Sequence, residues 1–353
     1  MLTQVRKKQE PTFPPPFLLM VKKEVKSKNF FSALISGGLK RNVSLKNYSH
    51  LKIGGRASYF FKASKIDDLI LTLNWWLNSF PQKPIFVLGE GTNVLFKDDF
   101  FDGLVIKMDL KKLDYLGKGL VFAEAGVLMR RLVSFCFQKK LAGSEWAAGL
   151  PGTLGGAVYG NAGCFGKEIK DVVEGVLTLE RRGKEFVLSL RRNKECLFKY
   201  RSSIFKKNQK KGEFLLIVGV LLKLQPVKDI KPFKEKASFI LRYRRQKHPL
   251  DLPTLGSTFK NIPLSRLPSS LINKFQEKIK NDPFLVLPVA VLLEKAGLKG
   301  KKKGGAQFSL KHPNFIVNLG NATAKDVLQL IALAKKKVWK KFQVKIEEEI
   351  EIV

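Results

Sequence analysis

Two glycine-rich stretches, one arginine, one serine and one glutamate are the features of this 353-residue chain whose types and spacing could do chemistry. The first stretch is Gly89-Glu90-Gly91-Thr92-Asn93, directly after the apolar run Pro84–Leu88. Glycine lets a backbone approach a phosphate closely, and successive N–H groups make a nest for an anion. The stretch departs from a dinucleotide fingerprint. It lacks the third glycine, no clear helix follows at once, and no acidic residue sits on a second strand about 20 residues on. Glu90 would itself repel a phosphate unless its side chain points away. The second stretch, Gly149–Gly166, has glycines at 149, 152, 155, 156, 160, 163 and 166. So many glycines argue against a packed helix or strand. Two readings stay open: a tight buried crossing of chains, or a backbone surface against a flat, polyphosphate-bearing cofactor. Two such loops in one chain favour the cofactor.

Tyr200-Arg201-Ser202-Ser203 offers a guanidinium fork suited to a carboxylate, where the plainer reading is a surface arginine. Ser257, in Gly256–Asn261 (GSTFKN), could donate a proton. No histidine neighbours it in sequence, and sequence cannot bring His248 or His312 beside it. Glu347-Glu348-Glu349 reads as an exposed, solvated edge-strand face. The three histidines and three cysteines are scattered, so neither a metal site nor a disulfide framework is expected.

These residues need elements to hold them. Ala57–Ala63 alternates like a strand and Ile66–Phe80 reads as an amphipathic helix. Pro84–Leu88, Val94–Phe96 and Leu104–Ile106 read as strands around the first Gly loop, giving an α/β unit with backbone amides at a strand end. Leu120–Ala125 is strand-like and Leu128–Lys139 helical. Val172–Glu180, Glu185–Leu190 and Leu215–Leu224 are β-rich. The last third begins with the basic helix Lys231–Lys247. Val289–Ala296 reads as a helix ended by Gly297, and Ala324–Phe342 as one capped by Asn321 or Thr323. Phe30–Leu39 is weakly helical, and Val344–Val353 reads as a closing strand.

Bulk composition bounds the rest. Hydrophobic residues at 44% and charged residues at 27% describe a folded chain long enough for two or three domains. Lys and Arg total 65 against 30 Asp and Glu, a formal charge of +35. The lysines are spread along the chain, which fits a compositional bias first, steering of anionic substrates second, and nucleic-acid binding last. No run of about 18 apolar residues predicts a membrane span. The first residues, rich in Lys and Pro, lack a signal-peptide core and predict an extension over 1–32 that is mobile. Scarce cysteine suits a reducing cytoplasm.

Taken together, the segments resemble the UDP-N-acetylenolpyruvoylglucosamine reductase family, flavoenzymes of peptidoglycan synthesis. The resemblance rests, in order, on Asn47–Ala57 (NYSHLKIGGRA), Val87–Asn93 (VLGEGTN) and Phe101–Ile106 (FDGLVI). It continues through Ala148–Gly166, Tyr200–Phe205 (YRSSIF), Gly256–Asn261, Leu293–Gly300 (LEKAGLKG), Gly304–Leu319 and the FQVKIEEEIEIV end. It runs over residues 33–353 and implies an α+β protein. The implied fold is the FAD-binding type shared with vanillyl-alcohol oxidase, two α+β subdomains (33–108 and 109–226) plus a C-terminal α+β substrate-binding domain (227–353).

Carried over position by position, the resemblance implies that Gly89, Gly91, Thr92, Asn93, Gly152, Thr153, Gly155, Gly156 and Asn161 cradle FAD. It gives Arg201 as the substrate-activating residue, Ser257 as proton donor and Glu349 as catalytic acid, with Tyr200, Lys260 and Asn261 near substrate. NADPH is the implied hydride donor and UDP-N-acetylmuramate the product. A cytoplasmic monomer with no nucleic-acid or membrane partner is expected. A related flavin oxidase and a basic nucleic-acid-binding protein are the alternatives weighed against it. Three departures stand out: Glu90 in the flavin loop, Arg56 where the family often has a smaller or cyclic residue, and residues 262–288, an insertion between matched segments. The short span from Tyr200 to Ser257 resembles the family branch without an extra substrate loop.

Overall fold

Hydrophobic patterning of period two builds the first sheet, and a helix of period 3.6 covers it. The computed structural model describes residues 38–183, 185–210 and 214–353; the expected extension over 1–32 and most of the expected helix over 30–39 lie outside them. Strands β1 (Lys40–Ser44) and β2 (Arg56–Ala63) lead into helix α1 (Ile66–Ser79). β3 (Ile85–Leu88), β4 (Val94–Leu95) and β5 (Phe101–Met108) follow. The sheet order is β1-β2-β5-β3, with β2, β5 and β3 parallel and β1 antiparallel. Helix α1 buries Leu69, Ile70, Leu73 and Trp76. The Trp76 ring is fully buried and meets Tyr59 and Phe80 at 5.3 and 4.8 Å. Side chains of this size contribute roughly 1.5–3 kcal/mol each when buried. The first Gly loop leaves the end of β3.

The second sheet is antiparallel. It is built from β6 (Leu113–Gly117) and β7 (Leu120–Glu124), then, after helices α2 (Met129–Gln138) and α3 (Leu154–Gly160) and the small hairpin β8 (Gly163–Cys164) and β9 (Lys167–Glu168), from β10 (Val173–Arg182) and β11 (Glu185–Arg192). Helix α4 (Ile204–Lys210) precedes its last strand, β12 (Leu215–Lys223), and the order is β11-β10-β12-β7-β6. One core joins both sheets, with Leu104 and Ile106 on one side and Val176, Val220 and Leu221 on the other. Helix α3 corrects the reading of its stretch as non-helical. Leu154, Ala157 and Val158 bury one face, and the Thr153 side chain caps the Gly156 N–H at 3.3 Å. Burial and a cap outweigh the weak propensity of glycine.

The last third opens with α5 (Lys231–Lys247) and β13 (Thr254–Ser257). β14 (Ile262–Pro263), α6 (Ser269–Lys274), β15 (Lys280–Asn281) and β16 (Leu285–Leu287) come next. Then follow α7 (Val289–Lys295), β17 (Lys302–Lys303), β18 (Ala306–Phe308), β19 (Phe315–Asn318), α8 (Ala324–Phe342) and β20 (Glu351–Ile352). The main sheet is β13-β19-β18-β17, covered by α8 through Val327, Leu330, Ile331, Ala334 and Val338. Of the two expected caps, Thr323 is the one used: it accepts from the Asp326 N–H at 3.2 Å, and Asp326 returns the bond at 3.0 Å. The segment 262–288 forms its own three-stranded sheet, β14-β16-β15.

The chain end differs from the expected strand over 344–353. Only Glu351–Ile352 is a strand, and it pairs in parallel with β4, beside the first Gly loop. Val344, Ile346 and Ile350 still alternate inward, but into the core of the last third. The alternation was real; the ladder partner lies some 250 positions away, where local pattern carries no information. Among the described residues, no helix is long and apolar enough to cross a membrane, and no group of three or more His, Cys, Asp or Glu could hold a metal ion.

Candidate active site

A cleft of about 1850 Å³ runs between the two Gly stretches and the last third of the chain. Its walls include Gly89, Gly91, Thr92, Asn93, Gly152, Thr153, Gly155, Gly156, Arg201, Ser257, Asn261 and Glu349. Residues separated by up to 260 positions thus share one cavity.

The two Gly stretches interlock. A Cβ on Gly89 would lie 2.8 Å from the Thr153 Oγ1, and one on Gly152 would lie 3.0 Å from the Thr92 Oγ1. Each loop therefore needs a bare backbone where the other's threonine sits. Both loops line the cleft with that bare backbone. Glu90 also faces the cleft, but Lys107 Nζ pairs with its carboxylate at 2.5 Å and also donates to the Gly89 carbonyl. The loop's negative charge is neutralised from β5.

Arg201 is displayed by a two-residue turn. Lys199 and Ser202 exchange both main-chain hydrogen bonds, at 2.9 and 3.0 Å, and Arg201 sits in the left-handed region at φ 52°. Such a conformation costs about 1 kcal/mol for a bulky residue. Three contacts hold the side chain there. Its Nε donates to the Glu349 carboxylate at 2.8 Å, its Nη2 donates to the Gly163 carbonyl at 2.9 Å, and the guanidinium lies 5.0 Å over the Tyr200 ring. Nη1 is buried with no partner among the described residues. Burial is the largest influence and works against the Arg201 charge, but Glu349, Tyr200 and Cys164 together outweigh it and the net pKa shift is upward. A guanidinium with one free buried N–H group is poised for an anion.

Glu349 is set by the chain end. Its N–H donates to the Thr258 carbonyl at 2.8 Å, and its carbonyl accepts from Asn93 Nδ2 at 3.1 Å. One residue of the first Gly loop thereby holds the segment that orients Arg201. Ser257 ends β13 across the cleft, opposite Phe315 in register.

Three residues expected at the site stand elsewhere. Asn161 does not line the cleft. It is fully buried at the end of α3 and bonds Glu168, the Lys199 carbonyl and the Lys170 N–H. It ties the Arg201 turn to the β8–β9 hairpin. Tyr200 lies behind Arg201. Its hydroxyl accepts from the Asn261 N–H at 3.2 Å, and burial pushes its pKa up to about 12. Lys260 lines a small side pocket of about 120 Å³ and pairs with Glu347 at 3.2 Å.

Other cleft residues escaped the sequence reading. Tyr159 donates to the Glu351 carboxylate at 2.9 Å, and Lys206 pairs with the same group at 3.5 Å. Two signals for them existed: Tyr159 falls three residues after Gly156 on one helix face, and Glu351 falls two after Glu349 on one strand face. His248 also lines the cleft, its ring 5.7 Å from that of His312. Burial first, and Arg244 next, lower His248 to about 4; burial and then Lys280 lower His312 to about 4. Both are neutral near pH 7.

Comparisons with known proteins agree on one family. A family model described as UDP-N-acetylenolpyruvoylglucosamine reductase, C-terminal domain, matches residues 248–353, and one described as FAD binding domain matches residues 57–189. The UDP-N-acetylenolpyruvoylglucosamine reductase of Carboxydothermus hydrogenoformans is 37% identical over 336 residues, spanning 94% of this chain and 99% of that protein. The protein of the same name from Thermotoga maritima is 37% identical over 309 residues, spanning 87% and 96%. Among solved structures, UDP-N-acetylenolpyruvylglucosamine reductase from Thermus caldophilus aligns with a TM-score of 0.67 at 28% identity, over 89% of this chain and 99% of that one.

Proposed function

We propose, from the premise that this chain belongs to the UDP-N-acetylenolpyruvoylglucosamine reductase family, that Arg201, Ser257 and Glu349 act together on one substrate carbon in the cleft. The enzyme is an FAD-dependent oxidoreductase that reduces UDP-N-acetylenolpyruvoylglucosamine in peptidoglycan synthesis. When bound, FAD supplies hydride transfer to the terminal carbon of the enolpyruvyl group. NADPH is the proposed source of that hydride, UDP-N-acetylmuramate the product, and a cytoplasmic monomer the proposed working form. The divisions at 108/109 and 226/227 belong to the same reading.

The residues present fit the group. The interlocked loops of Gly89–Asn93 and Gly152–Gly156 offer bare backbone to a diphosphate, and Lys107 pairs with Glu90, the carboxylate within these loops. Addition of hydride to the terminal carbon drives an electron pair onto the adjacent carbon and its carboxylate, giving an enolate. In this reading the buried Arg201 guanidinium stabilises that charge. Losing one donor aimed at a developing oxyanion typically costs about 10²–10³ in rate. Glu349 keeps the fork oriented through Nε, leaving Nη1 for the anion. Ser257 then gives its proton to the enolate carbon; a serine is a weak acid, so this step needs a strongly basic acceptor and a dry site.

The observation that carries the reading is the unpartnered, buried Nη1 of Arg201 in the cleft that Ser257 and both Gly loops also line. Its test is Ser257→Ala. Flavin reduction by NADPH stays within about twofold of wild type, while reoxidation by substrate and product formation fall by about 10²-fold or more, the usual range for losing a general acid. Equal losses in both half-reactions would remove Ser257 from the proton-donor role.

A further inference from the structure

The segment 262–288 reaches the Arg201 site from two directions. The first route runs through a strained turn. The hairpin β8–β9 closes with two residues, Phe165 and Gly166, at φ 55° and 76°. Two left-handed residues match the twist of a tight hairpin, but the first position favours Asn, Asp or Gly, and phenylalanine rarely holds it. Asp282 supplies what the turn lacks. Its carboxylate accepts from both turn N–H groups, Gly166 at 2.8 Å and Phe165 at 3.3 Å. Successive N–H groups around one carboxylate form an anion nest, here filled by the chain itself. The Phe165 ring is held against Tyr243 at 5.5 Å and lies 5.7 Å from the Arg244 guanidinium. Two residues before the turn, the Gly163 carbonyl receives Arg201 Nη2 at 2.9 Å.

The second route is direct. The Phe284 ring packs edge-on against Tyr200 at 5.1 Å, and the Arg201 guanidinium lies over the other partner of that contact. Lys280, Asn281 and Asp282 line the same cleft. One side of each contact, Asp282 or Phe284, comes from the segment between GSTFKN and LEKAGLKG, and the other, Phe165, Gly166 or Tyr200, from segments that carry the family resemblance.

We propose that Asp282 and Phe284 are positioning residues for Arg201: Asp282 fixes the turn that sets the Gly163 carbonyl, and Phe284 fixes the ring beneath the guanidinium. The insertion is thereby a working part of the reducing site. The inference rests on the assignment of Arg201 to enolate stabilisation, and it predicts a defect confined to the second half-reaction.

The experiment uses the full chain loaded with FAD. Asp282→Ala, Asp282→Glu and Phe284→Ala are compared with wild type in anaerobic stopped flow. The flavin is reduced with NADPH or dithionite and then mixed with UDP-N-acetylenolpyruvoylglucosamine. Flavin content and the reduction rate are expected to match wild type within about twofold, with each variant folded at the assay temperature. Reoxidation is expected to slow by about tenfold or more in Asp282→Ala and in Phe284→Ala, with part of the rate restored in Asp282→Glu, since removing an oriented donor costs at least that much. Unchanged reoxidation in both alanine variants overturns the inference. So does an equal loss of flavin content and both rates, which would mark a purely structural role. A wild-type enzyme that the substrate fails to reoxidise would overturn the reading of Arg201 itself, and it is distinguished because no variant is involved.

Discussion

At the scale of the residue, the charges at the centre of the site are held by specific partners. Arg201 is held by Glu349 and Gly163, leaving one buried N–H group for substrate. Glu90, the carboxylate that a phosphate-binding loop should avoid, is matched by Lys107. That pairing makes a prediction. Lys107→Met leaves Glu90 facing the cleft uncompensated and should weaken FAD about tenfold, roughly 1.4 kcal/mol. Adding Glu90→Gln should restore most of it. Flavin titration checks this, and a Lys107→Met protein with wild-type FAD affinity would mean Glu90 does not feel the phosphates. The residues that come together in the cleft were legible because they sit in short motifs with distinctive chemistry, glycines just after a strand or a serine on a Gly turn. Asn161, Tyr200 and Lys260 belong to the same motifs yet support the site from outside it. A motif records which residues are needed near a site, and only burial and hydrogen bonding separate contact from support.

At the scale of the element, period and capping carried the reading where partners are local. Ile66–Ser79 and Ala324–Phe342 are amphipathic helices with buried stripes and fall within a residue of their expected ends. The failures share one cause. Helix α3 forms in a glycine-rich stretch because its three apolar side chains find a core supplied by distant strands, and β20 pairs with β4 because the fold returns the chain end to the flavin loop. Neither partner is visible from a local window. β20 also matters for function, since the main-chain bonds Glu351 N–H to Asn93 and Val353 N–H to Leu95, at 2.9 and 3.0 Å, pin the segment carrying Glu349. Truncating the chain after Ile350 should therefore lower flavin occupancy and slow substrate reoxidation by more than about tenfold, since it removes three main-chain hydrogen bonds and the Tyr159–Glu351 bond, at about 1 kcal/mol each. Wild-type occupancy and rates in the truncated protein would show that the core residues Val344, Ile346 and Ile350 suffice to place Glu349.

At the scale of the whole molecule, three sheets and the segment 262–288 border one cleft, and the chain as a whole carries a large positive excess. A formal +35 on a chain whose substrate and cofactor are polyanions gives a favourable approach field, although the even spread of lysines makes this a general field rather than a focused one. The central claim is that this cleft passes hydride to an enolpyruvyl carbon and that the chain's own residues finish the reduction with a proton. The measurement that tests it most directly is anaerobic. The FAD-loaded protein is reduced with one equivalent of NADPH and mixed with UDP-N-acetylenolpyruvoylglucosamine while the flavin spectrum is followed. The account predicts rapid return of the oxidised spectrum without oxygen and one UDP-N-acetylmuramate per flavin. A flavin that stays reduced until oxygen is admitted would contradict it.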